Sequence, residues 1–577
     1  MSGYGRPPSP TRFTGCSQYK YLTWVISNSR VIFSIHFPLP LILSVACTSV
    51  TAAPPTIDGT NGISYLGVYE QTLNQDIFQG IPFAQPPIGS LRFKPPVAWA
   101  PETIPTTVNV TTLGPSCYQG SSAASPVSED CLTLNIRRVY NSTTGGLLPV
   151  MVWIYGGGFY NGDVTGYTAR LLLPKAASLA WSIWISPGKA SANAGAQNLG
   201  LKDQRLALEW VHKNIAYFGG DPTKVTIFGE SAGAISVAYQ TMYNGGKIGG
   251  VFHGAIMQSG SPSSRNVPAP SNTAREIAYQ FIINATGCTS SSDTFECVRS
   301  APISQLSQAN RDLLKLSGKF QSRDQGPVVF DPTVVPGDSF LPSRPADIIH
   351  NGNFAKVPII NGFQLDEGTV FSGNVSTAQD VIDWLTSTRP GLTFGITDTA
   401  TVWKLLTYYP IDPAVGSPYS SGGEVFGRPA QYKRLSSIVG DLLFQSPHRD
   451  HLRTTERFDV DSWSYTFTQF LSTTLPPYFA PQYGVRHTGE ILFVFQKLPA
   501  GATPELIDLA DSITNYWTSF AHNLDPNPTG SRKEVYWPKY GANATSLSLK
   551  GGNITVMEND YRQAEIEFII SNPSLYN

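Results

Sequence analysis

A serine in a Gly-Glu-Ser-Ala-Gly segment stands directly after a predicted strand. Residues 221–233 read DPTKVTIFGESAG, where the β-branched and aromatic run at 225–228 leads straight into GESAG. The following AISVAYQTM has the apolar spacing of a helix. A serine on a sharp strand-to-helix turn is exposed for attack, and flanking glycines relieve crowding there. This setting, rather than the common G-x-S-x-G pattern alone, predicts Ser231 as a nucleophile.

A serine hydroxyl needs a base, an orienting acid and donors for the oxyanion that its attack creates. The stretch PVMVWIYGGGF at 149–159 is a predicted buried strand that runs into three glycines. Backbone without side chains lets N–H groups approach a substrate oxygen closely. We therefore expect an oxyanion hole from Gly157, Gly158 and the N–H of Ala232, with a simple flexible turn as the alternative reading of the triplet.

The chain is long and apolar enough to bury a large hydrophobic core around these residues. It has 577 residues, 41% of them hydrophobic and 14% charged, with a net charge of -1. Nothing in this balance attracts nucleic acid or an anionic membrane surface, and it favours a neutral or small substrate. Neither linkers nor repeats divide the chain. We expect one catalytic domain over residues 54–577.

Residues 1–53 are predicted to be an N-terminal extension that contains a signal peptide. Residues 31–50, VIFSIHFPLPLILSVACTSV, are largely apolar and precede small residues, so cleavage is expected near Ala52 or Ala53. Thirty residues before them exceed an ordinary n-region. A misassigned start codon or a membrane anchor are the alternatives, although Pro38 and Pro40 interrupt the apolar stretch.

Cysteine usage agrees with export. Beyond Cys16 and Cys47, the chain has four cysteines, for which three connectivities are possible. The two close pairs favour the disulfides Cys117–Cys131 and Cys288–Cys297, and free buried thiols are the alternative. Six N-x-S/T sequons add modest support for a secreted glycoprotein, at Asn109, Asn141, Asn284, Asn374, Asn543 and Asn553.

Several motifs in one order carry a family resemblance. GIPFAQPPIGSLRF at 80–93, SEDCLTLNI at 128–136, the glycine triplet and FGESAG together resemble the type-B carboxylesterase/lipase family, which includes cholinesterases. The resemblance runs from about Gly59 to the C-terminus. It implies an α/β class protein with the α/β-hydrolase fold, a large and mostly parallel central sheet flanked by helices.

The resemblance also implies a Ser, Glu, His triad in that chain order. LDEGT at 365–369 resembles the family's acid segment, so Glu367 is the expected acid and its neighbour Asp366 the competitor. YGVRHTGEILFVF resembles the H-x-x-E segment and selects His487 as the base from eight histidines. His212 lies in the polar end of a helix, and the HRDH stretch of His448 and His451 is typical of a solvated face.

Weaker assignments follow from the same resemblance. Ser259 of QSGS is expected to hydrogen-bond the acid, and Arg92 and Glu129 to form a structural ion pair. The sequence departs from the family where a strand ending in N-Y-R normally precedes Asp203. Residues 178–189 read SLAWSIWISPGK, which is still compatible with a strand but lacks the arginine expected to pair with Asp203. We hypothesise that a stretch around Ala180 was lost in exon assignment, which sequencing the transcript would test.

The expected function is hydrolysis of carboxylic esters by a secreted enzyme that uses an acyl-enzyme and needs neither metal nor organic cofactor. Only 13 residues, YQGSSAASPVSED, lie between Cys117 and Cys131. They lack the apolar face of a lipase lid and the tryptophan that cholinesterases use for cationic substrates, which favours short or medium acyl esters. A triacylglycerol or sterol ester lipase is the alternative, and a non-catalytic binding module a further one. No nucleic acid, and no membrane partner after signal cleavage, is expected.

Overall fold

The computed structural model describes residues 53–119, 126–140, 146–167, 175–179, 188–314, 331–387, 395–470, 480–530 and 534–575. The predicted signal segment and the sequon at Asn141 lie outside the described residues. Residues 52–577 form one compact unit. Among the helices of these ranges, none combines the length and the apolar composition that a membrane span requires.

The strands in chain order are β1 Thr56–Asp58, β2 Ile63–Leu66, β3 Val68–Glu70, β4 Gln75–Pro82, β5 Thr106–Asn109, β6 Ser116–Cys117, β7 Val127–Ser128, β8 Thr133–Val139, β9 Leu148–Ile154, β10 Lys175–Leu179, β11 Gly220–Glu230, β12 Gly254–Gln258, β13 Ile359–Gln364, β14 Ser462–Phe467, β15 Thr545–Leu549 and β16 Thr555–Glu558. Among the described residues, eleven of them form one sheet in the order β16-β15-β14-β13-β12-β11-β9-β10-β8-β4-β3. Neighbours from β15 to β10 are parallel, and the pairs at either edge are antiparallel. The predicted mostly parallel sheet is confirmed.

The helices are α1 Lys189–Asn193, α2 Leu199–Asn214, α3 Ala232–Gly246, α4 Thr273–Ala285, α5 Thr294–Ser300, α6 Ile303–Leu314, α7 Pro345–His350, α8 Ala378–Thr386, α9 Thr399–Tyr408, α10 Tyr432–Gly440, α11 Ser446–Arg457, α12 Ile491–Val494, α13 Pro504–Asn523 and α14 Gln563–Ile570. A π-helical turn, Asp441–Gln445, joins α10 to α11. Strands β12, β13 and β14 are buried at every position, as expected for parallel strands covered on both faces.

The parallel order decides where the candidate residues meet. Ser231 follows β11, Ser259 follows β12, and Asp366 and Glu367 follow β13. Because these three strands are adjacent and parallel, their carboxyl ends lie at one edge of the sheet. In open α/β sheets this edge is where ligands bind. Ser231 and Asp366 are thereby brought to the ends of two strands that only β12 separates.

The segment that departs from the family motif still contributes a strand. Strand β10 pairs in parallel with β9 and antiparallel with β8, so the sheet is continuous at this point. The strand lies at 175–179, slightly earlier than the stretch expected to form it, and residues 180–187 lie outside the described residues. Asp203, the residue that the absent arginine was expected to pair with, is buried in α2.

Covalent and ionic links predicted from the sequence are present. The disulfides join Cys117 to Cys131 and Cys288 to Cys297. Arg92 makes a two-point ion pair with Glu129, at 2.6 and 2.8 Å. Its remaining amino group donates to carbonyls at the end of α5, at 2.6 and 2.7 Å. Arg92 therefore connects the segment that carries one disulfide to the helix that contains Cys297 of the other.

The expectation of a solvated face for His448 and His451 is wrong, since both are 1% exposed. Helix α11 lies against the sheet, where the His448 ring packs edge-on against Phe363 and its Nε2 lies 3.2 Å from the Asn361 carbonyl oxygen. His451 Nδ1 lies 3.1 Å from the Asn361 side-chain nitrogen. Spacing of three residues places both rings on the inner side of one helix, which charge counting does not detect.

Burial of these two imidazoles predicts acid lability. Desolvation lowers the pKa of His448 to about 3 and that of His451 to about 4, from 6.5. The unfolded chain takes up these protons below about pH 6.5 while the fold does not, so stability is lost as pH falls from there toward 4. Between pH 7 and 5 we expect a loss of about 2 kcal/mol per imidazole.

Urea unfolding at pH 7, 6 and 5, compared between the wild type and His451→Gln, measures this contribution. The variant is expected to lose about 2 kcal/mol less over that interval, whatever its stability at pH 7. Parallel pH dependences for the two proteins would show that His451 does not titrate between the folded and unfolded states as expected.

Candidate active site

Ser231 occupies a strained turn between β11 and α3. Its φ and ψ are 57° and −127°, its side chain is partly exposed, and its N–H donates to the Gln258 carbonyl at 2.9 Å. Left-handed φ at a residue with a side chain costs free energy that the surrounding structure must supply. A Cβ at Gly233 would lie 2.0 Å from the Ile154 carbonyl oxygen, so the turn also requires glycine there. The backbone therefore presents the hydroxyl above the sheet edge.

The glycine loop after β9 runs alongside Ser231. A Cβ at Gly156 would lie 2.9 Å from the Ser231 Cβ. Gly157 and Gly158 have φ of 109° and 65°, which favour glycine, and a Cβ at Gly157 would lie 2.1 Å from the Asn161 carbonyl oxygen. Gly157 is exposed and Gly158 partly so, which leaves this backbone open to a ligand. The predicted oxyanion residues thus come from a loop beside the nucleophile and from its own helix.

The imidazole of His487 contacts the carboxylate of Glu367. Its Nδ1 lies 2.5 Å from Glu367 Oε2, and both side chains are buried. The second oxygen, Oε1, accepts from the Gln364 backbone N–H at 2.7 Å. The rings of Phe371 and Phe444 flank the imidazole, each with a centroid separation of 4.9 Å. A carboxylate at Nδ1 orients the ring and leaves Nε2 to act as a base.

Asp366, the competing acid, faces away from the imidazole. One carboxylate oxygen accepts from the Ser417 hydroxyl and the Tyr419 N–H, both at 2.8 Å, and the other from the Val485 N–H at 2.9 Å. Burial raises the pKa of Asp366 to about 6. Its three hydrogen bonds connect the segment after β13 to neighbouring loops, including the loop before His487. The Asp366 carboxylate therefore stabilises these loops.

Glu230, the residue before the serine, lies on the other side of the imidazole. Its Oε1 is 3.1 Å from His487 Nε2, and its side chain is buried. Burial, reinforced by the negative charge of Glu367, raises the pKa of Glu230 well above its usual range. The raised pKa favours a neutral carboxyl group, so Glu230 adds no second negative charge beside the imidazole.

Three buried side chains near the histidine, those of Glu490, Gln258 and Gln364, were given no role by the sequence-based prediction. Glu490 accepts from the amides of Gln258, at 3.0 Å, and Gln364. The signal was present, because Glu490 is the acid of the H-x-x-E segment used to select His487. Ser259, expected to contact the acid directly, is fully buried, and its Oγ lies 3.4 Å from the Gln364 amide nitrogen. Gln364 stands between Ser259 and Glu367.

The described residues contain no group of three or more His, Cys, Asp or Glu side chains that could hold a metal ion. The polar groups at this edge of the sheet are a hydroxyl, an imidazole, several carboxyl groups and the backbone N–H groups of glycines. Groups of these kinds are what nucleophilic acyl transfer requires, namely a nucleophile, a base, an orienting acid and oxyanion donors.

Comparison with known proteins adds an independent finding. The model of the carboxylesterase family matches residues 60–569. The chain is 34% identical to secreted lipase 1 of Botryotinia fuckeliana over 93% of this chain and 95% of that protein. It is 33% identical to the secreted triacylglycerol lipase LIP1 of Gibberella zeae over 86% and 87%. The crystal structure of Aspergillus niger EstA superimposes with a TM-score of 0.78 at 26% identity, covering 91% of this chain and 99% of that one.

The two adjacent carboxylates allow a matched test of their positions. Glu367→Gln places an amide at His487 Nδ1 and is expected to lower kcat about 10³- to 10⁴-fold, because the imidazole loses its acceptor and its orientation. Asp366→Asn leaves a backbone donor without an acceptor and is expected to cost about 1 to 3 kcal/mol of stability.

Steady-state kinetics on a soluble ester and thermal unfolding of both variants distinguish the two effects. For Asp366→Asn we expect a lower Tm and a comparatively small change in kcat. A larger loss of kcat in Asp366→Asn than in Glu367→Gln would show that Asp366, not Glu367, is the acid.

Proposed function

The chain belongs to the carboxylesterase family, and we propose that it is a secreted serine hydrolase with Ser231, His487 and Glu367 as its triad. It is a carboxylic ester hydrolase by family. The observation that supports the proposed mechanism is the contact between His487 Nδ1 and Glu367 Oε2 at 2.5 Å. Ser231, in its strained backbone conformation, lies at the same edge of the sheet.

The proposed reaction has two steps. Ser231 Oγ attacks the ester carbonyl while His487 Nε2 takes its proton, and the developing oxyanion is stabilised by the N–H groups of Gly157, Gly158 and Ala232. The tetrahedral intermediate collapses, the C–O bond of the ester breaks, and the imidazolium returns the proton to the leaving alcohol. Water then attacks the acyl-enzyme by the same route and releases the acid.

For substrates we propose short or medium acyl esters. The stem of the Cys117–Cys131 loop is fastened beside the glycine loop: the Gln119 amide donates to the Gly162 carbonyl at 3.2 Å and accepts from its N–H at 3.0 Å. Only 13 residues lie between the two cysteines, of which 120–125 lie outside the described residues. A loop this short, held at its base, supports an esterase rather than a lipase with a long apolar lid.

A triacylglycerol lipase is the second candidate, because the similar Gibberella zeae protein is named for that activity. Extracellular location is proposed for the same kind of reason, since two of the similar proteins are named as secreted. Exposed sequon asparagines support it: every sequon asparagine among the described residues is exposed, namely Asn109, Asn284, Asn374, Asn543 and Asn553. The two disulfides point to the same oxidising compartment.

Labelling with a fluorophosphonate probe tests the nucleophile. We expect the folded wild type to be labelled and Ser231→Ala not, because only an activated serine hydroxyl attacks the phosphorus atom. Circular dichroism of both proteins controls for folding. A folded wild type that resists labelling would instead support a binding module.

A substrate series distinguishes esterase from lipase. Hydrolysis of p-nitrophenyl esters of increasing acyl length is expected to be fastest for short or medium chains, because a site without a long apolar lid gains little from an oil interface. Much faster turnover of emulsified triolein than of a soluble butyrate ester would contradict this proposal and favour the lipase.

A further inference from the structure

A buried carboxyl group lies behind the candidate triad without taking part in it. Glu490 precedes α12, three residues after His487, and is 1% exposed. Its Oε1 accepts from the side-chain amide of Gln258 at 3.0 Å, and its Oε2 accepts from the side-chain amide of Gln364. Gln258 is the last residue of β12 and Gln364 the last of β13. One carboxyl group therefore connects the ends of two neighbouring central strands.

Each glutamine in turn holds a residue of the candidate triad through its backbone. The Gln258 carbonyl accepts from the Ser231 N–H at 2.9 Å. The Gln364 N–H donates to Glu367 Oε1 at 2.7 Å. The Gln258 side chain is itself fixed, because its carbonyl oxygen accepts from the Trp517 ring N–H at 3.1 Å. The segments of the nucleophile, the acid and the base thus meet at Glu490.

We propose that Glu490 is a positioning residue, whose bridge between the Gln258 and Gln364 side chains sets the separation of Ser231 and Glu367 around His487. The inference rests on the proposed function of this site and adds a residue to it. Glu490 touches none of the reacting groups named above, so its effect on the reaction is transmitted through the two strand ends.

The bridge does not require an ionised carboxylate. Burial raises the pKa of Glu490 to about 8, so near neutral pH the group is largely protonated. Gln364 Oε1 is buried and has no hydrogen-bond partner among the described residues. Rotation of that amide by 180° places this oxygen toward Glu490, where it accepts the carboxyl proton. Either protonation state therefore keeps both strand ends connected.

This donor and acceptor balance predicts how substitutions differ. Glu490→Gln keeps one acceptor and gains donors, so it can still bond both glutamines and is expected to retain kcat within about tenfold. Glu490→Leu fills the space but breaks both bonds, and a displacement of about 1 Å in a catalytic group lowers kcat about 10²-fold. KM is expected to change little, because no group that binds substrate is altered.

Asp76→Asn supplies the matched control. Asp76 is also 1% exposed, lies in β4 and pairs with Arg138 at 2.9 Å, outside the candidate site. The variant is expected to lower Tm while kcat per folded molecule is unchanged. If Glu490 had a purely structural role, Glu490→Leu would likewise lower Tm and leave kcat per folded molecule unchanged. A loss of kcat at constant KM in Glu490→Leu is therefore the result that supports a positioning role.

The experiment measures kcat and KM on p-nitrophenyl butyrate, Tm, and active-site titration of each variant. Gln364→Leu, which breaks the same bridge from the other side, is tested alone and with Glu490→Leu. We expect the double variant to be little worse than Glu490→Leu alone, because both substitutions break the same bridge. If Glu490→Leu does not fold, the other two variants replace it. The inference then requires that Gln364→Leu loses kcat while Glu490→Gln stays active.

Two outcomes overturn the inference in distinguishable ways. Hydrolysis that disappears in Ser231→Ala but is normal per titrated site in Glu490→Leu and Gln364→Leu shows that the triad operates without the bridge. Hydrolysis that survives in Ser231→Ala shows instead that the proposed function of this site is wrong, and the positioning role fails with it.

Discussion

The contact between His487 Nδ1 and Glu367 Oε2, at 2.5 Å in a buried site, constrains everything around it. A buried ion pair between an imidazolium and a carboxylate is stable only if its geometry is good and the remaining polar atoms are bonded. Gln364 provides the N–H for the second carboxylate oxygen, and Phe371 and Phe444 exclude water from the ring. The surrounding loops must therefore hold these atoms to within a fraction of an ångström.

Glycines make that fit possible by letting backbone approach backbone. A Cβ at Gly368 would lie 1.9 Å from the Ser436 carbonyl oxygen, so the residue after the acid must be glycine for α10 to pack on this segment. The glycine triplet has the same function beside Ser231, where a Cβ at Gly156 would meet both Glu230 and Ser231. Close approach rather than flexibility explains these glycines, and it brings Glu367, Ser231 and the glycine loop together.

Four carboxyl groups share this edge of the sheet, and their surroundings give them different positions. Glu367 faces the imidazole, Asp366 binds three donors on neighbouring loops, Glu230 lies near Nε2, and Glu490 bridges two glutamines. Burial raises the pKa of the last three, for Asp366 to about 6 and for Glu490 to about 8. Such differences let one small volume hold several acids without equal negative charge on all of them.

Local patterns in the sequence were enough to predict the strand-turn-helix around Ser231 and the glycine loop, because sterics and burial within a few residues dictate them, and the short cysteine spacings indicated both disulfides. The mostly parallel sheet was implied only by the family resemblance, because strand pairing depends on distant parts of the chain. Tertiary structure alone decided the burial of His448 and His451, the place of β10 in the sheet, and the bridge from Glu490 to Gln258. Those two bridge residues are 232 positions apart. Their contact depends on which strands are neighbours, and no local pattern of side chains records that.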